Sequence, residues 1–80
     1  MILNITKADY INDFKIKLSF NDGLEKVVDL QNYIQSKKHP FFQSLKEVDE
    51  FKKFRVHKTL VWESGADFAP EFLFEIGMKI

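Results

Sequence analysis

The stretch Phe14-Lys15-Ile16-Lys17-Leu18-Ser19-Phe20-Asn21-Asp22-Gly23-Leu24-Glu25-Lys26-Val27-Val28-Asp29-Leu30 decides the fold. Apolar and polar residues alternate from Phe14 to Phe20, as a strand with one wet face requires, and this puts Phe14, Ile16, Leu18 and Phe20 on the inward face. Asn21-Asp22-Gly23 interrupts the pattern and an extended run resumes at Leu24, so the two halves read as an antiparallel hairpin. Register sets the loop length. A two-residue Asp22-Gly23 loop would place Phe20 opposite Glu25 and Ile16 opposite Asp29, mixing acids into the apolar face. A three-residue loop pairs Phe20 with Leu24, Ile16 with Val28 and Phe14 with Leu30, and gives Gly23 the left-handed position of a bulged turn. Lys26 then falls opposite Leu18, where its stem is expected to cover apolar surface while its ammonium reaches water.

Upstream, Ile2, Ile5, Tyr10 and Ile11 predict another strand, irregular around Lys7 to Asp9 and turning at Asn12-Asp13, which completes an N-terminal three-stranded meander. Downstream the period changes. Leu30, Tyr33 and Ile34 fall at helical spacing, Asp29 can accept from the first backbone donors, and Lys37 and Lys38 suit the carboxyl end. His39-Pro40 is expected to stop this helix. Ser44 to Glu47 fits a capping box, and Leu45, Val48, Phe51 and Phe54 recur every three residues, as in a short 3₁₀-like helix. Arg55 to Trp62 is β-branched and aromatic and reads as one later strand ending at the Glu63-Ser64-Gly65 turn. From Phe68 to Gly77, proline stands at a first helical position, acid follows in the first turn, and Gly77 marks the end. Ala69 is the cap of this helix, a task Asp67 can take over, with Phe68 and Leu73 as a hydrophobic staple. The whole is a single α+β domain over residues 1–80: a small antiparallel sheet, made of the N-terminal β-meander plus a later strand, with two or three short helices.

Twelve Lys and Arg balance twelve Asp and Glu, cysteine is absent, and nine of the eighty residues are Phe. This size excludes a multidomain enzyme, and zero net charge argues against a strongly basic nucleic-acid clamp. Without cysteine the chain has no disulfide or thiolate metal site, so packing must offset an ordering cost of roughly 1.5 kcal/mol per residue. No window approaches the roughly 20 apolar residues of a membrane span, and the N-terminus lacks a signal-peptide pattern, so a cytoplasmic protein without membrane contact is expected.

Three pieces then stand in order: Phe20-Asn21-Asp22-Gly23 with Val28-Asp29-Leu30; Leu45 through Phe51 with Val56; and Val61-Trp62-Glu63-Ser64-Gly65-Ala66-Asp67-Phe68-Ala69-Pro70-Glu71. Over roughly residues 8 to 76 the chain resembles the bacterial family catalogued as domain of unknown function 2442. Its most specific part is the string carried by Trp62, Gly65, Ala66, Asp67, Ala69 and Pro70. The chain departs from the family at Glu63-Ser64, where Pro-Asn is frequent, and at His57-Lys58, where members often carry a longer glycine-containing link; a tighter turn is expected there. The resemblance implies a small α+β fold without an assigned activity. Relatives fused to helix-turn-helix domains, or encoded beside a second small protein in what resemble toxin-antitoxin pairs, imply partner binding.

No Gly-rich phosphate loop or serine elbow is present. His39, His57 and Asp67 do not stand at metal-ligand spacing, so neither catalytic residues, a metal nor another cofactor are expected. Asp22, Gly23, Trp62, Gly65, Asp67 and Pro70 read chiefly as structural: turn chemistry, a core indole and a helix start. Neighbours on a strand, or positions two apart on a helix, point in different directions, so Phe41 with Phe42 and Phe72 with Phe74 cannot all reach one core from regular elements. Spare rings would form an apolar partner surface. The leading expectation is therefore a noncatalytic protein-interaction module, the antitoxin-like or regulatory member of a small two-protein system. Its partner is a small protein encoded nearby or a second copy of the chain. The alternative is nucleic-acid binding through Lys37, Lys38, Lys52, Lys53 and Arg55.

Overall fold

The computed structural model describes residues 2–36 and 39–79. Strands β1 (Ile5–Asn12), β2 (Lys15–Phe20) and β3 (Glu25–Asp29) form the meander. Their register keeps carboxylates off the apolar face, with Ile16 opposite Val28 and Leu18 opposite Lys26. Phe20 N donates to Leu24 O and Leu30 N to Phe14 O, each at 2.9 Å, which closes the three-residue loop. Gly23 takes φ +90° there, and Asp22 Oδ1 accepts from Leu24 N at 3.0 Å. Asn21 has a second task. Its backbone N donates to Asn4 O at 2.9 Å, its Oδ1 accepts from Asn4 N at 3.0 Å, and its Nδ2 donates to Ile2 O at 2.7 Å. The loop thereby fastens the chain ahead of β1.

The irregularity expected around Lys7 to Asp9 falls on either side of it. Register shifts fall between Ile5 and Lys7 and between Tyr10 and Asn12, leaving Lys7 to Tyr10 in straight pairing with β2. Ile5 is buried and Ala8 and Tyr10 pack against the core, whereas Ile11 follows Lys7 and Asp9 onto the outer face and is exposed, as is Ile2. Lys26 also departs from expectation. Its ammonium does not run out to water but donates to Phe74 O at 2.6 Å and lies 3.6 Å from the centre of the Phe74 ring. Phe74 belongs to helix α4 (Pro70–Ile76), whose last carbonyls lack intrahelical donors and carry negative partial charge, so a cation is favoured there.

The fourth strand is a correction. It is β6 (Met78–Lys79), antiparallel to β3 in the order β1-β2-β3-β6, not the segment Arg55 to Trp62. That segment divides into β4 (Arg55–Val56) and β5 (Leu60–Val61), a separate two-stranded ribbon. The chain folds back through Lys58 at φ +63°, with His57 N donating to Thr59 O at 2.9 Å. From its residues alone the β-branched run reads as continuous, because a left-handed lysine carries no signal of its own, but the tight turn expected at His57-Lys58 from the family resemblance is present. Ile5 N donates to Lys58 O at 2.8 Å and ties the ribbon to the main sheet.

Helix α1 (Gln31–Ser36) starts where Asp29 Oδ1 accepts from Gln31 N at 3.1 Å. His39-Pro40 opens a further helix, α2 (Pro40–Gln43), besides ending the first. The pre-proline geometry that disfavours helix at His39 suits an N-cap, and His39 Nδ1 accepts from Phe41 N at 3.2 Å. A 3₁₀ turn at Ser44–Lys46 leads into α3 (Val48–Phe51). The capping box does not form, because Ser44 begins that turn and Glu47, at the cap of α3, makes no side-chain cap bond. Ala69 caps α4, likewise without a side-chain bond. Asp67 does not replace it; its backbone bridges to Val61 and its side chain is exposed. Between sheet and helices lies an apolar core in which Ile16, Leu18, Val28, Leu30, Ile34, Phe51, Leu60 and Leu73 are fully buried. Among the described residues no helix is long and apolar enough to cross a membrane.

Candidate functional site

The segment from Trp62 to Pro70 is built outward from its indole. Trp62 is buried among Phe51, Phe54 and Phe68, with ring centres 5.7, 6.4 and 5.9 Å away. Its Nε1 donates to Phe51 O at 2.7 Å, so the polar edge is satisfied inside the core. Gly65 N donates to Trp62 O at 3.0 Å and Trp62 N to Ala66 O at 2.9 Å, closing a turn whose return passes through Gly65 at φ +100°. Ala66 is buried, the Thr59 hydroxyl donates to Phe68 O, and Pro70 starts α4.

This turn holds Phe41. Ser64 Oγ donates to Phe41 O at 2.8 Å, and the Phe41 ring lies over Gly65 so closely that a Cβ there would sit 3.3 Å from two ring carbons. The His39 ring meets it edge-on with centres 4.5 Å apart. Phe41 nevertheless remains 47% exposed. The other three rings go elsewhere. Phe42 is buried against Phe68, with centres 5.4 Å apart. Phe72 stacks on Phe68 at 5.8 Å and 13° and meets Tyr33 edge-on at 5.1 Å. Phe74 stands edge-on to Phe20 at 5.1 Å, under Lys26. The four phenylalanines therefore share no single face: Phe42 is core, Phe72 and Phe74 are half-buried against it, and Phe41 alone among them stands well out in solvent.

Tyr33, Ser36, Asp67, Phe68, Ala69 and Phe72 line a shallow groove between α1 and the start of α4. The expected basic clusters are matched with acids. Lys52 Nζ lies 3.3 Å from Asp49 Oδ1, Lys53 Nζ 3.0 Å from Glu50 Oε1, and an Arg55 guanidinium nitrogen 3.8 Å from Glu63 Oε2. Lys37 and Lys38 lie outside the described residues. No cluster of His, Asp or Glu able to hold a metal ion occurs among the described residues. Sequence reasoning misses the parts played by His39 and Ser64. The first is hidden because Pro40 reads as the end of one helix and not also as the beginning of the next. The second has no sequence signal, because it depends on two segments 23 residues apart.

No curated protein and no solved structure gives a match. A family model described as "Protein of unknown function (DUF2442)" matches residues 5–78, from the first strand through the return to the sheet. With its Trp62 to Pro70 turn inside that span, the chain belongs to the DUF2442 family.

Proposed function

We propose that this chain is a noncatalytic protein-interaction module, the antitoxin-like or regulatory member of a small two-protein system in a bacterial cytoplasm, and that Phe41 meets its small protein partner. The observation that carries the reading is an exposed aromatic ring already fixed in place, by Ser64 at its carbonyl, by Gly65 beneath it and by His39 at its edge. A ring held this way loses little conformational freedom on binding, which is what an interface anchor needs. Nucleic-acid contact through the basic residues has weaker support, because Lys52, Lys53 and Arg55 already have carboxylate neighbours.

Co-expression with the genomic neighbour and purification of the pair tests this. The two proteins are expected to copurify, and Phe41→Ala is expected to weaken the complex about tenfold or more while leaving the thermal transition of the isolated chain within a few degrees. Recovery of the two proteins folded but unassociated, or an undiminished complex with Phe41→Ala, overturns the reading.

A further inference from the structure

On a different surface, we infer that β1 pairs with β1 of a second copy of this chain, antiparallel about a two-fold axis at Ala8, to form a symmetric dimer with a continuous sheet. The inference stands apart from the role proposed for Phe41.

β1 is an edge strand. Phe20 N donates toward β3, and Leu30 N donates to Phe14 O. The backbone groups of Phe14, Ile16, Leu18 and Phe20 therefore face β3, and those of Lys15, Lys17 and Ser19 face β1. Lys7 is opposite Ser19 and Asp9 opposite Lys17, so Lys7 and Asp9 make the bonds to β2, and Ala8 and Tyr10 point their backbone groups away from the sheet. The ribbon lies against the start of this edge, where Ile5 N donates to Lys58 O. The two register shifts leave Lys7 to Tyr10 as a straight run. An unpaired strand edge of this kind is a template for another strand.

What selects a second copy is the sequence of the edge itself. Asn4-Ile5-Thr6-Lys7-Ala8-Asp9-Tyr10-Ile11-Asn12 reads nearly the same in kind from either end. A two-fold axis at Ala8 sets Ala8 against Ala8, Lys7 against Asp9 of the second copy, and Asp9 against Lys7 of the second copy. The pairing is confined to the straight run around Ala8, because Ile5 N is already held by Lys58 O and the register shifts break the alternation beyond Lys7 and Tyr10. The smallest alternative shifts that keep the outward groups in register set Asp9 against Asp9 or Lys7 against Lys7, like-charge contacts that disfavour them. Lys7 and Asp9 lie on the face away from the core, with side chains 71% and 56% exposed and their charges 3.8 Å apart within one strand. They are free to exchange that loose contact for two across the axis. An isologous interface needs this self-complementarity.

Sedimentation velocity over a concentration series tests the pairing, with circular dichroism at the lowest concentration to verify that each variant folds. The natural chain is expected to show a monomer–dimer equilibrium. Lys7→Glu alone and Asp9→Lys alone are each expected to weaken it about tenfold or more, since each creates two like-charge contacts across the axis. The double variant restores both pairs and is expected to recover the dimer. An equimolar mixture of the two single variants is expected to form a heterodimer, because both acids on the edge of the first then face lysines on the edge of the second. A chain that stays monomeric throughout, single variants that dimerise unchanged, or a double variant and a mixture that both remain monomeric overturn the inference.

Discussion

Replacing Trp62 by alanine is expected to destabilise the domain by about 3–5 kcal/mol, the cost of emptying a large aromatic site that its neighbours cannot collapse to fill. Four aromatic groups converge at this site, and the indole also supplies the donor for Phe51 O. A domain of this size has a total stability on the order of 4–12 kcal/mol, so the change removes a large part of it. Each kcal/mol lowers Tm by about 4–8 °C in a domain this small, and the alanine variant is expected to be partly unfolded near physiological temperature. Trp62→Phe separates the two contributions. It keeps most of the ring volume but leaves Phe51 O without its indole donor, and a loss of about 1–3 kcal/mol is expected. Urea denaturation checks both variants through the midpoint. A Trp62→Ala chain within about 1 kcal/mol of the natural one would show that the indole is not a keystone of this core.

The junction between α4 and β6 yields the second large effect. Gly77 has an ordinary extended conformation, so its requirement is space: a Cβ there would stand 2.8 Å from Lys26 Cβ and 3.0 Å from Leu73 O. Neither obstacle is the far end of a flexible side chain. Gly77→Ala is expected to cost about 1–3 kcal/mol, as overpacked sites do, and to loosen β6 from β3. In a Lys26→Gly background the nearest obstacle is gone, and although that change is itself destabilising, the added cost of Gly77→Ala should fall. A double-mutant cycle by urea denaturation reads the coupling directly, and strictly additive losses would refute the close approach as the cause.

These two sites differ in how far the sequence reveals them. Hairpin register is legible because only one loop length keeps Glu25 and Asp29 off the apolar row, and Trp62 is legible as core because a β-branched run leads into it. The awkward position of Lys26 opposite Leu18 is visible too, but its resolution is not, since the acceptor lies 48 residues away on another element. Strand β6 is hidden because two residues carry no usable alternation and gain their pairing from β3. At Lys58 the tight turn is expected from the family resemblance, but the division of the run into a separate ribbon is not, because a left-handed lysine is dictated by the bonds around it. For the candidate surface, the excess of Phe is the useful signal, and its division is not readable: α2, opened by Pro40, sends Phe42 inward while the turn at Gly65 holds Phe41 outside.

The pairing of Lys26 with Lys79 and of Val27 with Met78 spans about fifty residues of chain, whereas the meander closes through loops of a few residues. Contacts this remote in sequence carry a loop-closure cost that local hairpins escape, which orders events in time. The meander can assemble early, with the outer side of β3 still open to water; the last helix and Met78 to Lys79 then dock and cover it. Because backbone groups of Val28 face β2 and those of Val27 face β6, one strand records both stages. During refolding, amide exchange protection is expected at Val28 before Val27, and simultaneous protection of both amides would show instead that the sheet closes in one step.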